Sequence, residues 1–473
     1  MSQDLERVVR EIVAKIVAQQ MPAQEQPLEK PVGMGIFADI DQAIRAAQES
    51  QRELMKLPLV QRRQIIAAMR SAALEHAEAF SKRAVEESGL GNVGDKIQKN
   101  KLAAEATPGV EDLEPQAFTS EHGMTLVERA PYGVIGAIIP VTNPTATVIN
   151  NGIGMVAAGN SVVFNPHPSA KGVSSYAVTV MNEAIHKAGG PKHLLTAVSE
   201  PTIESANQMM KDQRIAILVV TGGPGVVKAA MNSGKKVIAA GPGNPPCVVD
   251  ETAHIEKAAQ DIGGGASFDN NLVCICEKEV LVVETVASKL IEGMAASGAY
   301  IMDAQQTKAV TDLVIEKPGG PGREGVIQKK FVGKHPSVIA QAAGFKVPEH
   351  TKLLVCKVEK DHPLVWTEQL MPVLPVVSLP DVDQCIELAV QCEHGFRHTA
   401  MMHSLNVEKL SKMAKAMNCS LFVKNGPCYA GLGHGGAGFT SFTIASPTGE
   451  GLTRARTFTR ERRCTLVDYF RIV

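Results

Sequence analysis

Between Gly133 and Gly241 the chain alternates short, wholly apolar runs with stretches of helical period. GVIGAIIP (Gly133 to Pro140) precedes a helix-like stretch, Thr145 to Ala158. SVVFNP (Ser161 to Pro166) precedes another, Lys171 to Ala188. HLLTAVS, IAILVVTGG and KKVIAAG supply further runs. A strand apolar at every position is covered on both faces, and parallel strands need crossover helices to join them. The pattern predicts a parallel α/β sheet, which binds nucleotides at the carboxyl ends of its strands.

A second α/β series begins near Cys247, with CVVD, EKEVLVVE, KLLVCKV and LPVVSL as strands, and runs to about Gly451. The 473-residue length suits two such domains. The chain closes on TFTRERRCTLVDYFRIV, which alternates like a strand. Paired with TLVERA (Thr125 to Ala130), it would make a small β-arm of the kind that joins subunits. The expected division is residues 35–116 and 133–243 for the first domain, 244–455 for the second, and 117–132 with 456–473 for the arm.

Residues 1–18 place Leu5, Val8, Val9, Ile12, Val13, Ile16 and Val17 on one face of a helix. Residues 19–34, rich in Gln and Pro, read as a linker. The linker favours docking of this helix in a groove of another protein over packing on its own domain.

A net charge of −1 and 4% aromatic residues argue against a nucleic-acid partner. The arginines at 454, 456, 460, 462 and 463 read as a solvated or interface strand. No apolar stretch reaches the ~20 residues of a membrane span, and the N-terminus lacks the layout of a secretory signal. Nine scattered cysteines give neither a disulfide framework nor a zinc site.

Five segments carry the chemistry. In GGGASFDNNLVCICEKE, Gly263, Gly264 and Gly265 lead into a polar loop that presents Cys274 just before a strand, a plausible nucleophile. Cys276 competes with it. Asn143 follows a buried strand and precedes a helix; its amide could donate to an oxyanion or cap the helix. In VVTGGPGVV a strand runs into Gly222, Gly223 and Gly225 and then a helix, which suits a phosphate. Glu368 in TEQLMPVLPVV and His398 in EHGFRHTAMMHS follow.

In this order the segments resemble the aldehyde dehydrogenase superfamily. AAGPGNPP, SFDNNLVCICEKE, EQLMPVLPVV, HTAMMHS, FVKNGPCYAGLG and SPTGEGLTRARTF resemble its CoA-acylating branch. Most similar are the propionaldehyde and acetaldehyde dehydrogenases of propanediol- and ethanolamine-utilising bacterial microcompartments. The resemblance covers nearly the whole chain. It implies an aldehyde dehydrogenase-like α/β fold: a Rossmann-like NAD/CoA-binding domain, a catalytic domain and an oligomerisation arm. The implied oligomer is a homodimer or homotetramer.

The resemblance makes Cys274 the nucleophile. Asn143 and the Cys274 N–H become oxyanion donors. Thr221, Gly222 and Gly223 form the cofactor-phosphate turn, Glu368 holds the nicotinamide ribose, and Pro140 and Thr142 line the cofactor. His398 matches a histidine of the acylating branch, either deprotonating CoA or ordering a loop; His434 reads as a loop residue. Residues 1–18 become an encapsulation peptide for shell or core proteins, inside a microcompartment of the bacterial cytoplasm.

Two departures matter. Hydrolytic members carry a water-activating glutamate in E-L-G-G-K; here Ala239-Ala240-Gly241-Pro242-Gly243 stands instead. Water then attacks a thioester slowly, and CoA thiol is the better nucleophile. Asn165 stands where many members place a lysine against the adenosine ribose, which bears on NAD against NADP. The expected reaction is NAD-dependent oxidation of a short aldehyde, propionaldehyde before acetaldehyde, to its acyl-CoA. The rivals are a hydrolytic dehydrogenase and a catalytically silent microcompartment protein.

Overall fold

A computed structural model describes residues 33–473; the helix expected over residues 1–18 and nearly all of the linker expected over 19–34 lie outside them. Six parallel strands form the first sheet, in the order Ile36–Phe37, Leu195–Val198, Ser161–Pro166, Val134–Ile139, Ile215–Thr221, Lys236–Ala240. Their side chains alternate between two cores, as period-2 geometry requires. Ile135, Ala137 and Ile139 face helices Leu59–Glu75, Pro144–Ala157 and Lys171–Lys187. Val134 and Ile138 face helices Ile40–Leu54, Ile203–Lys211 and Pro224–Met231. The first of these starts where Asp39 accepts the Gln42 N–H at 2.9 Å.

The second sheet has seven parallel strands: Ala299–Ile301, Leu353–Lys357, Val373–Leu379, Glu279–Val283, Pro246–Val249, Thr399–His403 and Leu421–Lys424. Thr399–His403, Leu421–Lys424 and the three-residue Ala299–Ile301 carry polar or too few residues, so apolar runs do not announce them. Gly263, Gly264 and Gly265 belong to the last turns of helix Ile255–Ser267 rather than to a loop. Residue 265 must be glycine because the buried Glu277 carboxylate packs where a Cβ would stand.

The final strand, Thr459–Val467, pairs antiparallel with Gly123–Pro131, which also pairs with Gln116–Ser120. This three-stranded arm exposes Phe118, Leu466, Val467, Tyr469 and Phe470. Among the described residues no helix is long and apolar enough to cross a membrane, and no cluster of His, Cys, Asp and Glu could hold a metal.

Candidate active site

The site lies where the carboxyl ends of the first sheet meet the amino ends of the second. Asn143, Gly222 and Gly243 follow first-sheet strands. Cys274, Glu368 and His398 precede second-sheet strands.

The turn before Cys274 is unusual. Asp269, Asn270 and Asn271 take successive φ of 49°, 55° and 63°, a left-handed conformation that Asn and Asp tolerate best. Side chains hold all three. The Asn271 amide donates to the Ala266 and Glu277 carbonyls at 2.7 and 3.0 Å. Asn270 donates to the Gly333 carbonyl at 2.9 Å. The fully buried Lys278 ammonium donates to the Asn271 side chain and, at 3.1 Å, to its carbonyl. Sγ of Cys276 turns away into the core, 3.8 Å from the Phe268 carbonyl, so the two cysteines do not share a strand face.

Gly243 joins the other groups. Its N–H donates to Glu368 Oε1 at 3.3 Å. A Cβ here would stand 2.9 Å from the His398 ring and 3.0 Å from the Cys274 carbonyl oxygen, so only glycine lets them meet. Sequence reading passed over Gly243; its place in Gly241-Pro242-Gly243 was the available signal.

Burial and then the charge of Glu368 push the Cys274 thiol up to about 12, against the pull of Lys278. Burial raises Glu368 to about 7, again opposed by Lys278. Burial and then Lys278 lower His398 to about 4. The histidine is therefore neutral at pH 7 rather than poised there as expected from its residue type. Its Nδ1 lies 2.7 Å from Thr399 Oγ1, and its buried Nε2 has no protein partner.

Asn143 stands at the N-cap of helix Pro144–Ala157, but its side chain makes no capping bond. Oδ1 accepts from Lys99 Nζ at 2.6 Å, and Nδ2 donates to Thr142 Oγ1 at 3.3 Å. The capping alternative is thus excluded. Lys99 also pairs with Asp269, as does Lys96 at 3.0 Å; all three are buried. These lysines went unnoticed in the polar run DKIQKNK, where lysine ordinarily marks a solvated face.

Gly222 and Gly223 end a strand and open the helix Pro224–Met231. A Cβ on Gly223 or Gly225 would meet nothing, so the helix N-terminus faces free space, as a phosphate-bearing cofactor requires. The hydroxyl of Thr221 is engaged with Thr443 at 2.9 Å. Pro140 is partly buried at the end of its strand. Asn165 is buried and accepts from Ser205 at 2.6 Å. Ala239 is buried, its N–H donating to Thr448 Oγ1 at 3.0 Å. His434 is a loop residue, and with Lys99, Leu102, Phe268, Val273 and Tyr429 it lines a small pocket beside the Cys274 loop.

A model of the aldehyde dehydrogenase family matches residues 14–442. The chain belongs to this family. It is 48% identical over 472 residues to the acetylating acetaldehyde dehydrogenase EutE of Escherichia coli K12, covering 100% of this chain and 99% of that one. It is also 48% identical, over 98% of each chain, to the CoA-propanoylating propanal dehydrogenase of Salmonella typhimurium. Among solved structures, it resembles a propionaldehyde dehydrogenase from the Clostridium phytofermentans fucose utilisation microcompartment. The TM-score is 0.90 at 47% identity, over 93% of this chain and 100% of that one. The Rhodopseudomonas palustris propionaldehyde dehydrogenase, solved with CoA and an acylated cysteine, has a TM-score of 0.89 at 47% identity, over 92% and 99%. This aldehyde dehydrogenase therefore shares its whole described architecture with CoA-dependent relatives.

Proposed function

We propose that the protein oxidises a short aliphatic aldehyde, propionaldehyde before acetaldehyde, to its acyl-CoA through a thioester on Cys274. The carrying observation is the packing at Ala239. Where hydrolytic relatives place a base, this chain buries an alanine whose amide is taken by Thr448, and Gly241 lies under Pro447.

The Cys274 sulfur adds to the aldehyde carbon, and its proton passes to solvent. Asn143 Nδ2 and the Cys274 N–H take the charge that develops on oxygen. The open turn at Gly222 and Gly223, with Thr221, Pro140, Thr142 and Glu368, would hold NAD, which when bound supplies the hydride acceptor. A thioester on Cys274 results. CoA thiol then attacks the thioester carbonyl, and Cys274 leaves as the acyl group passes to CoA sulfur. His398, whose Nδ1 lies 2.7 Å from Thr399 Oγ1 and whose Nε2 has no protein partner, is the candidate to receive the CoA proton. The apolar pocket wall of Leu102, Phe268, Val273 and Phe442 supports a short alkyl substrate. Asn165, neutral and bound to Ser205, puts no cation against the adenosine ribose and so favours NAD over NADP.

The test is propanal with NAD, with and without CoA. Sustained NADH formation should require CoA, and the product should be propanoyl-CoA. Rapid propanoate formation without CoA would sink this reading. The exposed apolar arm supports a homodimer or homotetramer. Residues 1–18 are proposed to dock on shell or core proteins of a cytoplasmic microcompartment. Their deletion should leave kcat unchanged and abolish co-purification with shell proteins; lost activity would refute docking as their role.

A further inference from the structure

The two proposed oxyanion donors come from different halves of the chain. Asn143 follows a first-sheet strand; the Cys274 N–H belongs to the loop before a second-sheet strand. One buried ammonium touches the supports of both. Lys99 Nζ donates to Asn143 Oδ1 at 2.6 Å and pairs with the carboxylate of Asp269, the first left-handed residue of the turn that leads to Cys274. We infer that Lys99 is the positioning residue of the oxyanion hole, setting both the orientation of the Asn143 amide and its distance from the Cys274 N–H.

The orientation follows from donor chemistry. An ammonium has hydrogens to give and no lone pair to accept with. An amide facing it must turn its oxygen inward, which leaves one Nδ2 hydrogen for the substrate while the other goes to Thr142 Oγ1. Without Lys99 the amide could flip and offer an acceptor to a developing anion. The distance follows from Asp269, which is fixed from several sides. Its Oδ1 accepts the Asn92 N–H at 2.8 Å, its own N–H donates to Asp95 at 2.7 Å, and Lys96 binds its Oδ2 at 3.0 Å. Lys99 therefore hangs the amide on a support that also anchors the nucleophile turn. Helix Val93–Ala106 places Lys96 and Lys99 side by side, three residues apart.

This inference rests on Asn143 being an oxyanion donor, and a double-mutant cycle tests the two separately. The readout is the single-turnover NADH burst with propanal and NAD in the absence of CoA. Asn143→Ala should slow the burst about 100-fold, the usual loss of one oxyanion donor. Lys99→Met leaves Asp269 paired with Lys96 and should slow the burst about 10-fold or more, with the KM for NAD within about twofold of the parent. In the Asn143→Ala background Lys99→Met should cost nothing further. Multiplying losses, or an unimpaired Lys99→Met, would overturn the role of Lys99; a fully active Asn143→Ala would remove the donor reading itself. If Lys99→Met does not fold, Asp269→Asn keeps the shape of the support. Its smaller loss must likewise vanish in the Asn143→Ala background.

Discussion

The loop that presents Cys274 and the turn at Gly222–Gly225 face the same site by opposite means. The first is a run of left-handed residues, each tied by a side chain to buried backbone or to lysine. The second has almost no side chains, and its Gly223 and Gly225 border empty space. A nucleophile must be held still relative to the carbonyl it attacks, and strain there is stored against surrounding bonds. A turn that receives a phosphate needs bare N–H groups and room for close approach. Rigidity is built from polar side chains in one place, and access from their absence in the other.

The sharpest break of this comparison is at the sulfur. Cys274→Ala should abolish acyl-CoA formation, while Cys276→Ala, in the core, should retain most activity; coupled NADH and acyl-CoA assays decide it. Next, Asn271→Ala removes two buried donors and leaves Lys278 without its side-chain partner. About 3 kcal/mol or more of stability should go with them, read by denaturant unfolding. A shift under about 1 kcal/mol would mean the turn holds itself.

By contrast, Gly223→Ala should leave the melting temperature unchanged, because φ is −68° and the added methyl meets nothing. It should raise the KM for NAD several-fold; an unchanged KM would remove this turn from the cofactor site.

The smallest effect concerns Glu277, which burial raises to about 7 and whose Oε1 accepts the Cys428 N–H at 2.9 Å. A carboxyl raised on folding binds more protons than the unfolded chain between about 4.5 and 7, so its contribution to stability falls as pH rises through that window. Glu277→Gln should therefore gain in melting temperature relative to the parent from pH 5 to pH 8. A pH-independent difference would show that this carboxyl does not titrate on folding.

Much of this was readable from residues. Val134–Ile139 is apolar throughout, and Glu279–Val283 is so after its first residue, because both faces are covered. Thr399–His403 escaped because its alternation carries Thr and His into a buried sheet. Cys274, Asn143, Glu368 and His398 are proposed from the order of their motifs. Lys96, Lys99 and Asp269 were not, since charged residues are assigned to solvent unless their partners are known. Those partners lie up to 173 residues away. Gly243 was hidden for another reason: its importance is the space it leaves, and composition does not record space.

The arm-end segment also closes the first core. Phe442, Ala445, Ala455 and Phe458 pack among the residues of the first sheet, and the Phe458 carbonyl accepts from Asn160, 298 residues earlier. During synthesis, then, the amino-terminal half cannot complete its interior while it is still emerging from the ribosome. Asn150 Oδ1 and one hydrogen of Asn160 Nδ2 must wait for their partners in the last thirty or so residues. Cys274, the proposed nucleophile, is translated long before the chain can lock, so a competent active site is one of the final products of folding. A ribosome-stalled chain ending before Phe442 should be protease-sensitive in its first half, however well its strands are already made.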